Sequence, residues 1–194
     1  MNRRTFIAGS AAAGLAHPLA AQIPQPPMAP HTVNLTNEYP VGQIHVAPDS
    51  FQLFWTLGGG QARVYQIRIG RDDLYEQGEF YVGAKKEWPA WTPTPGMIER
   101  EPERYARYAD GGMEGGPGNP MGARALYLFQ EGRGDTFLRI HGTDDPASIG
   151  QAVSNGCAGL TNEHIVDLYE LVPLGTPVFL HSKTRSDAFQ PAAR

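Results

Sequence analysis

The sequence of 194 residues has one cysteine, Cys157, so no disulfide can form within the chain and its stability has to come from an apolar core. It also lacks the run of about 20 apolar residues that a membrane-spanning helix needs. No excess of positive charge is present. Sixteen Lys and Arg stand against 20 Asp and Glu, a formal net charge of −4, which argues against nucleic acid or an anionic lipid surface as partner. The histidines show no metal-ligand spacing. His17, His31, His45, His164 and His181 are therefore read as terminal or structural residues, and no zinc site is expected. Dinucleotide, P-loop and EF-hand patterns are missing too, so no cofactor is implied.

Acidic residues are absent before Glu38. In their place Asn2-Arg3-Arg4-Thr5-Phe6-Ile7 matches a twin-arginine export signal, followed by the mildly apolar Ala8 to Ala16 and the small pair Ala20-Ala21. That pattern predicts a cleavable peptide over residues 1–21, delivery to the periplasm, and no stable membrane insertion after cleavage. Pro24, Pro26, Pro27 and Pro30 then favour an extended segment, so residues 22–40 are expected to be a linker and lead, 41–182 one catalytic domain, and 183–194 a tail.

Within the domain, alternating apolar residues predict strands at Ile44 to Val46, Phe51 to Leu57 and Ala62 to Ile69, the last two forming a hairpin around Gly58-Gly59-Gly60. Further strands are expected at Glu79 to Gly83, Ala125 to Phe129, Phe137 to His141 and Pro177 to His181. One helix is well marked, from Asn162 to Val172, with Thr161 or Asn162 as N-cap and Ile165, Leu168, Tyr169 and Val172 on one face. The segment from Lys85 to Gly122 is different, rich in Pro and Gly. A long irregular stretch inside a compact domain is usually functional, and a short solvated helix is expected there around Glu99 to Arg104.

The chemistry concentrates at Ile140-His141-Gly142-Thr143 and Ser154-Asn155-Gly156-Cys157. A thiol is a poor nucleophile at its free pKa of about 8.5, and an imidazole that takes its proton activates it. The intervening segment has turn residues followed by a short apolar return, so a strand-loop-strand path would bring Cys157 to His141. A buried structural cysteine is the plainer alternative for a lone thiol.

The flanking residues decide between them. Ile140 to Thr143, Ile149-Gly150, Ser154 to Cys157, Asp167-Leu168-Tyr169 and Val172 to Val178 appear in the order and register of the catalytic signature of the L,D-transpeptidases, the YkuD-type bacterial cell-wall enzymes, and the chain resembles that family from about Gln43 to His181. The resemblance implies a mainly β fold: a β-sandwich of mixed sheets with one principal helix and a long active-site loop, the Lys85 to Gly122 segment. It implies peptidoglycan stem peptides as substrate, Cys157 as nucleophile and His141 as base, with Gly142 and Thr143 orienting the imidazole. The backbone N–H groups of Asn155, Gly156 and Cys157 are the expected oxyanion donors, Gly156 being glycine so that the backbone turns sharply and the substrate approaches closely. Ser154 is expected to fix the loop or touch substrate, while Tyr127 and Trp91 are candidates to line the cleft.

One departure stands out. The resembled family continues its cysteine box with a large apolar residue and then Arg or Asn, whereas this chain has Ala158-Gly159. The smaller pair is expected to widen the donor pocket and remove a polar anchor, which would shift the register of cross-linking from a 3-3 bond between diaminopimelates to a 1-3 bond from L-alanine to diaminopimelate. The same site would serve a thiol hydrolase, with water resolving the thioester. A wall-binding module with a relict site is the non-enzyme reading.

Overall fold

A computed structural model describes residues 27–184. The twin-arginine match and the expected signal peptide, residues 1–21, lie outside them. The described chain forms β1 (His31–Asn34), β2 (Ile44–Ala47), β3 (Gln52–Gly58), β4 (Gln61–Gln66), β5 (Ile69–Gly70), β6 (Gly78–Glu87), β7 (Arg124–Gln130), β8 (Gly134–His141), β9 (Ala152–Ser154), β10 (Ala158–Gly159) and β11 (Pro177–Leu180), with helices α1 (Pro95–Arg100), α2 (Pro102–Tyr105) and α3 (Asn162–Leu171). Nine strands make one sheet in the order β1-β4-β3-β2-β11-β6-β7-β8-β10, and β5 pairs with β9 in a second. The sheets are mixed: β2 with β11, β8 with β10 and β5 with β9 run parallel, while the other pairs are antiparallel.

Why β3 is apolar on both faces follows from what covers it. Leu53 and Trp55 face the main core, where they join Leu126, Leu128 and Ile140 from the other end of the sheet. Phe54, between them, faces a smaller cluster with Leu35, Ala47, Ala62 and Val64. Strand β1 extends the sheet beyond β4 from His31, directly after the Pro-rich segment, and Val33 and Leu35 join that second cluster. The expected third strand is also shorter than its apolar pattern. It breaks after Gln66, and Ile69-Gly70 leaves to pair with β9.

Two ends of the nine-stranded sheet share one core because the sheet rolls. Closure is visible in reciprocal backbone bonds, Arg68 N–H to Gly159 O at 2.8 Å and Gly159 N–H to Arg68 O at 2.9 Å. Helix α3 plugs the interior with Ile165 and Leu168. Thr161 is its N-cap, accepting from the His164 N–H at 3.3 Å. At its other end Lys85 donates to the carbonyls of Tyr169 and Val172 at 2.5 and 2.7 Å, satisfying acceptors that a helix C-terminus leaves open.

Candidate active site

Parallel pairing of β10 with β8 does what the spacing alone left open. Ala158 stands opposite Ile140 and Gly159 opposite His141, so Cys157 enters beside Arg139, two residues before the histidine. Cys157 and His141 then line one cavity of about 650 Å³. His141 is buried, and its Nδ1 lies 2.5 Å from the Gly142 carbonyl, to which it donates. That contact fixes the tautomer and leaves the lone pair on Nε2. Thr143 does not touch the imidazole in this way. Its hydroxyl accepts from the Asp145 N–H at 3.0 Å and shapes the turn after the histidine. Gly142 is held by its surroundings, since a Cβ there would overlap the Asn162 carboxamide, whose oxygen accepts from Ala123 N–H at 2.8 Å.

Burial biases both side chains toward their neutral forms. Burial first, then the charge of Arg68, lowers His141 to about 3, against the pull of the Gly142 and Met121 carbonyls. Burial raises the Cys157 thiol above its usual range, opposed by a backbone hydrogen bond from Arg139 and by the charges of Arg139 and Arg68. Such a pair stores no ion pair in advance.

The turn before the cysteine is locked by Ser154. Its hydroxyl donates to the Cys157 carbonyl at 2.6 Å and accepts from the Gly156 N–H at 3.3 Å. Ser154 is thus committed to the loop rather than to substrate, and the Gly156 N–H, expected among the oxyanion donors, is spent inside the turn. Gly156 has φ +121°, and a Cβ would come within 2.9 Å of the Leu74 carbonyl. A side chain is excluded by conformation and by space. Asn155 turns its carboxamide outward, donating to Tyr105 Oη at 3.0 Å and accepting from Arg100 at 3.2 Å. It latches the cysteine loop to the long insertion.

That insertion, residues 85–122, is less irregular than its composition suggests. Thr94 caps α1, the chain turns at Glu101, and Pro102 starts α2, because proline cannot continue a helix but suits its first turn. Trp91 pairs with Met113 across the base of the loop. Gly115 lets the arms close, since a Cβ there would overlap the Trp88 carbonyl. Trp91, Tyr105 and Tyr108 form an aromatic cluster, with ring centroids 6.0 and 5.6 Å from Trp91, on one wall of the cavity. Tyr127 lines it from β7, with the Arg139 guanidinium 4.1 Å above its ring.

The cavity is not lined by Ala158 or Gly159. Ala158 is buried in the main core, and the room left by Gly159 is filled by Arg68, whose Nε and Cγ would stand 2.5 and 2.8 Å from a Cβ. The expected widening of the donor pocket therefore does not arise from this pair. Sequence reasoning also passed over Arg139, although its i, i+2 relation to His141 on a strand placed it on the same face. It missed Arg68, for which no local signal exists.

The comparisons agree with this geometry. A profile of the L,D-transpeptidase catalytic domain, YkuD, matches residues 42–180. The chain belongs to that family. A protein named as an L,D-transpeptidase, ORF 5 of the ATP synthase subunits region of Fuscovulum blasticum, is 34% identical over 92% of this chain and 96% of its own length. Among solved structures, a Brucella melitensis protein named as a carnitine operon oxidoreductase is 46% identical, with TM-score 0.55 over 78% of this chain and 92% of that one. An L,D-transpeptidase from Mycobacterium smegmatis, 16% identical, shares the fold with TM-score 0.53 over 72% of this chain and 58% of that chain. The mainly β architecture with mixed sheets and few helices is that of the L,D-transpeptidases, and the family is one of enzymes acting on peptidoglycan peptides. No helix among the described residues is long and apolar enough to cross a membrane.

Proposed function

We propose that this L,D-transpeptidase works through a Cys157 thioester on peptidoglycan stem peptides, after export by the twin-arginine signal to the periplasm. The observation that carries the reading is the neighbouring placement of Cys157 and a buried, neutral His141 on one cavity, with Nδ1–H held by Gly142. In the first step a Cys157 Sγ–carbonyl bond forms while the stem peptide C–N bond breaks. His141 Nε2 takes the thiol proton and returns it to the departing amine. In the second step an amine of another stem attacks the thioester, the C–S bond breaks, and the proton passes back through His141 to the sulfur. Acylation after the third stem residue gives a 3-3 link; acylation after the first gives a 1-3 link.

The test is mass spectrometry with purified protein. A carbapenem is expected to leave one covalent adduct on Cys157 and none on Cys157→Ala, and tetrapeptide donors are expected to give cross-linked dimers whose fragment masses read the register. An unmodified Cys157 with continued turnover in Cys157→Ala sinks the thioester mechanism. Trimmed monomers without dimers assign the site to hydrolysis instead.

A further inference from the structure

Four guanidinium groups line the cavity, and three of them are already engaged or solvated. Arg139 makes two hydrogen bonds to Asp135, at 2.7 and 2.9 Å. Arg104 pairs with Glu101 at 3.4 Å. Arg107 is exposed, lying 4.6 Å from the Tyr108 ring. Arg68 differs. It is half-buried, forms no ion pair among the described residues, and makes one side-chain hydrogen bond, from Nη1 to Ser148 Oγ at 3.2 Å; its Nε is buried with no partner. Of the five N–H donors in its rigid fork, one on Nη1 is engaged by Ser148 and the Nε donor is buried without a partner among the described residues. Asp144 and Asp145 also line the cavity and act on Arg68 through their charge, but both are exposed and neither reaches it as an ion pair.

An arginine is kept in this desolvated position by construction. Its backbone is clamped to Gly159 through the reciprocal bonds at 2.8 and 2.9 Å, and its side chain occupies the volume that any other residue at 159 would need. Gly159 does not have a positive φ, so no backbone conformation demands glycine there; the demand comes from the Arg68 side chain. Ser148, itself buried and donating to the Asp145 carbonyl at 2.6 Å, holds the near edge of the fork. A guanidinium with no counter-ion in a low-dielectric wall is a receptor for a planar anion, and a carboxylate fits its fork with two parallel hydrogen bonds.

We propose that Arg68, in the space opened by Gly159, is the donor-selecting residue of the cavity, binding a free carboxylate of the acyl donor close to the carbonyl that Cys157 attacks. The polar anchor absent after the cysteine in the sequence is thus delivered from across the rolled sheet. This rests on the thioester reading above, and it adds that the donor must be anionic at a defined position.

The experiment uses the full chain and a synthetic stem tetrapeptide whose carboxylates are converted to carboxamides one at a time. Wild-type kcat/KM is expected to fall about 10- to 100-fold on amidation of one of them, mainly through KM, as for loss of a charge-assisted pair. Arg68→Gln should lose a similar factor on the unmodified donor and show no further loss on that amide, while Arg68→Lys restores part of the preference. Urea midpoints equal to wild type report that the variants are folded, and a wild-type alkylation rate of Cys157 by the uncharged iodoacetamide reports an unchanged thiol environment. A wild type indifferent to every amidation overturns the proposal whatever the variants do, as does an Arg68→Gln that keeps the full preference for the free carboxylate. Continued turnover in Cys157→Ala would instead remove the thioester reading, which separates the two failures.

Discussion

Acid should unfold this protein through its buried histidines well before its carboxylates titrate. His45 and His141 are 3% and 5% exposed, and each has its pKa lowered to about 3, in both cases mainly by burial. His45 is enclosed by a stacked Phe179 ring at 4.7 Å and by contacts of its Nδ1 with His181 at 3.0 Å and its Nε2 with Gln43 at 3.2 Å. Protonating it places a second N–H against one already supplied by His181. Above pH 6.5 these histidines are neutral in both the folded and unfolded chains, and cost nothing. Below it the unfolded chain takes up protons that the folded chain refuses, so stability falls as pH drops from 6.5 towards 3. At pH 5.5 each group costs about 1.4 kcal/mol, and the pair about 2.8 kcal/mol. His164 and His181 are lowered as well and act in the same direction. The lowered carboxylates, Asp135, Asp167 and Glu101, lose their contribution only as pH falls below about 4.5, below the pH 5.5 comparison. Urea unfolding at pH 7.5 and 5.5 should therefore show a loss of roughly 3 kcal/mol, or a Tm lower by about 6 to 11 °C for a domain of this size. His45→Gln should remove about 1.4 kcal/mol of that pH dependence. Equal unfolding free energies at the two pH values would refute the assignment of these histidines as neutral and buried.

The same neutrality predicts that acylation of Cys157 by a carbapenem shows no inflection near pH 6.5. His141→Gln should slow it by at least about 100-fold at neutral pH and leave a rate that climbs with thiol ionisation above pH 9; a wild-type acid limb centred on 6.5 would contradict the lowered imidazole. Gly156→Ala is expected to cost about 2 kcal/mol or more and to abolish acylation, because φ +121° and the Leu74 carbonyl both reject a methyl group; near-wild-type denaturant stability would count against that geometry. Asn155→Ala should free the insertion by removing the bonds to Tyr105 and Arg100. Amide hydrogen exchange over α1 and α2 is then expected to quicken, with donor KM raised and iodoacetamide reactivity unchanged, and unaltered exchange would show that Asn155 is no latch.

Local signals carried much of this protein. The hairpin around Gly58-Gly59-Gly60 is a matter of two-residue alternation meeting a turn, and α3 begins at Thr161 because an N-cap and a helical apolar face coincide there. The order of the motif boxes from Ile140 to Val178 identified the family that the profile then matched over residues 42–180. Gly156 announced its own conformation, since only glycine adopts that φ without strain.

Other features came from the rolling of the sheet. It clamps Arg68 to Gly159, residues separated by most of the domain in sequence, and neither position carries a local mark of the other. Read along the chain, Ala158-Gly159 is a loss of bulk and polarity; in three dimensions Ala158 is core and Gly159 is the space in which an arginine sits. The segment His31–Asn34 carries no strong strand pattern of its own, and the apolar cluster around Phe54 that Val33 and Leu35 join exists only once β3 and β4 have paired. Periodicity and turn chemistry act over a few residues and can be read from them. Register between distant strands is set by which apolar faces must be covered, and that is decided by the tertiary structure as a whole.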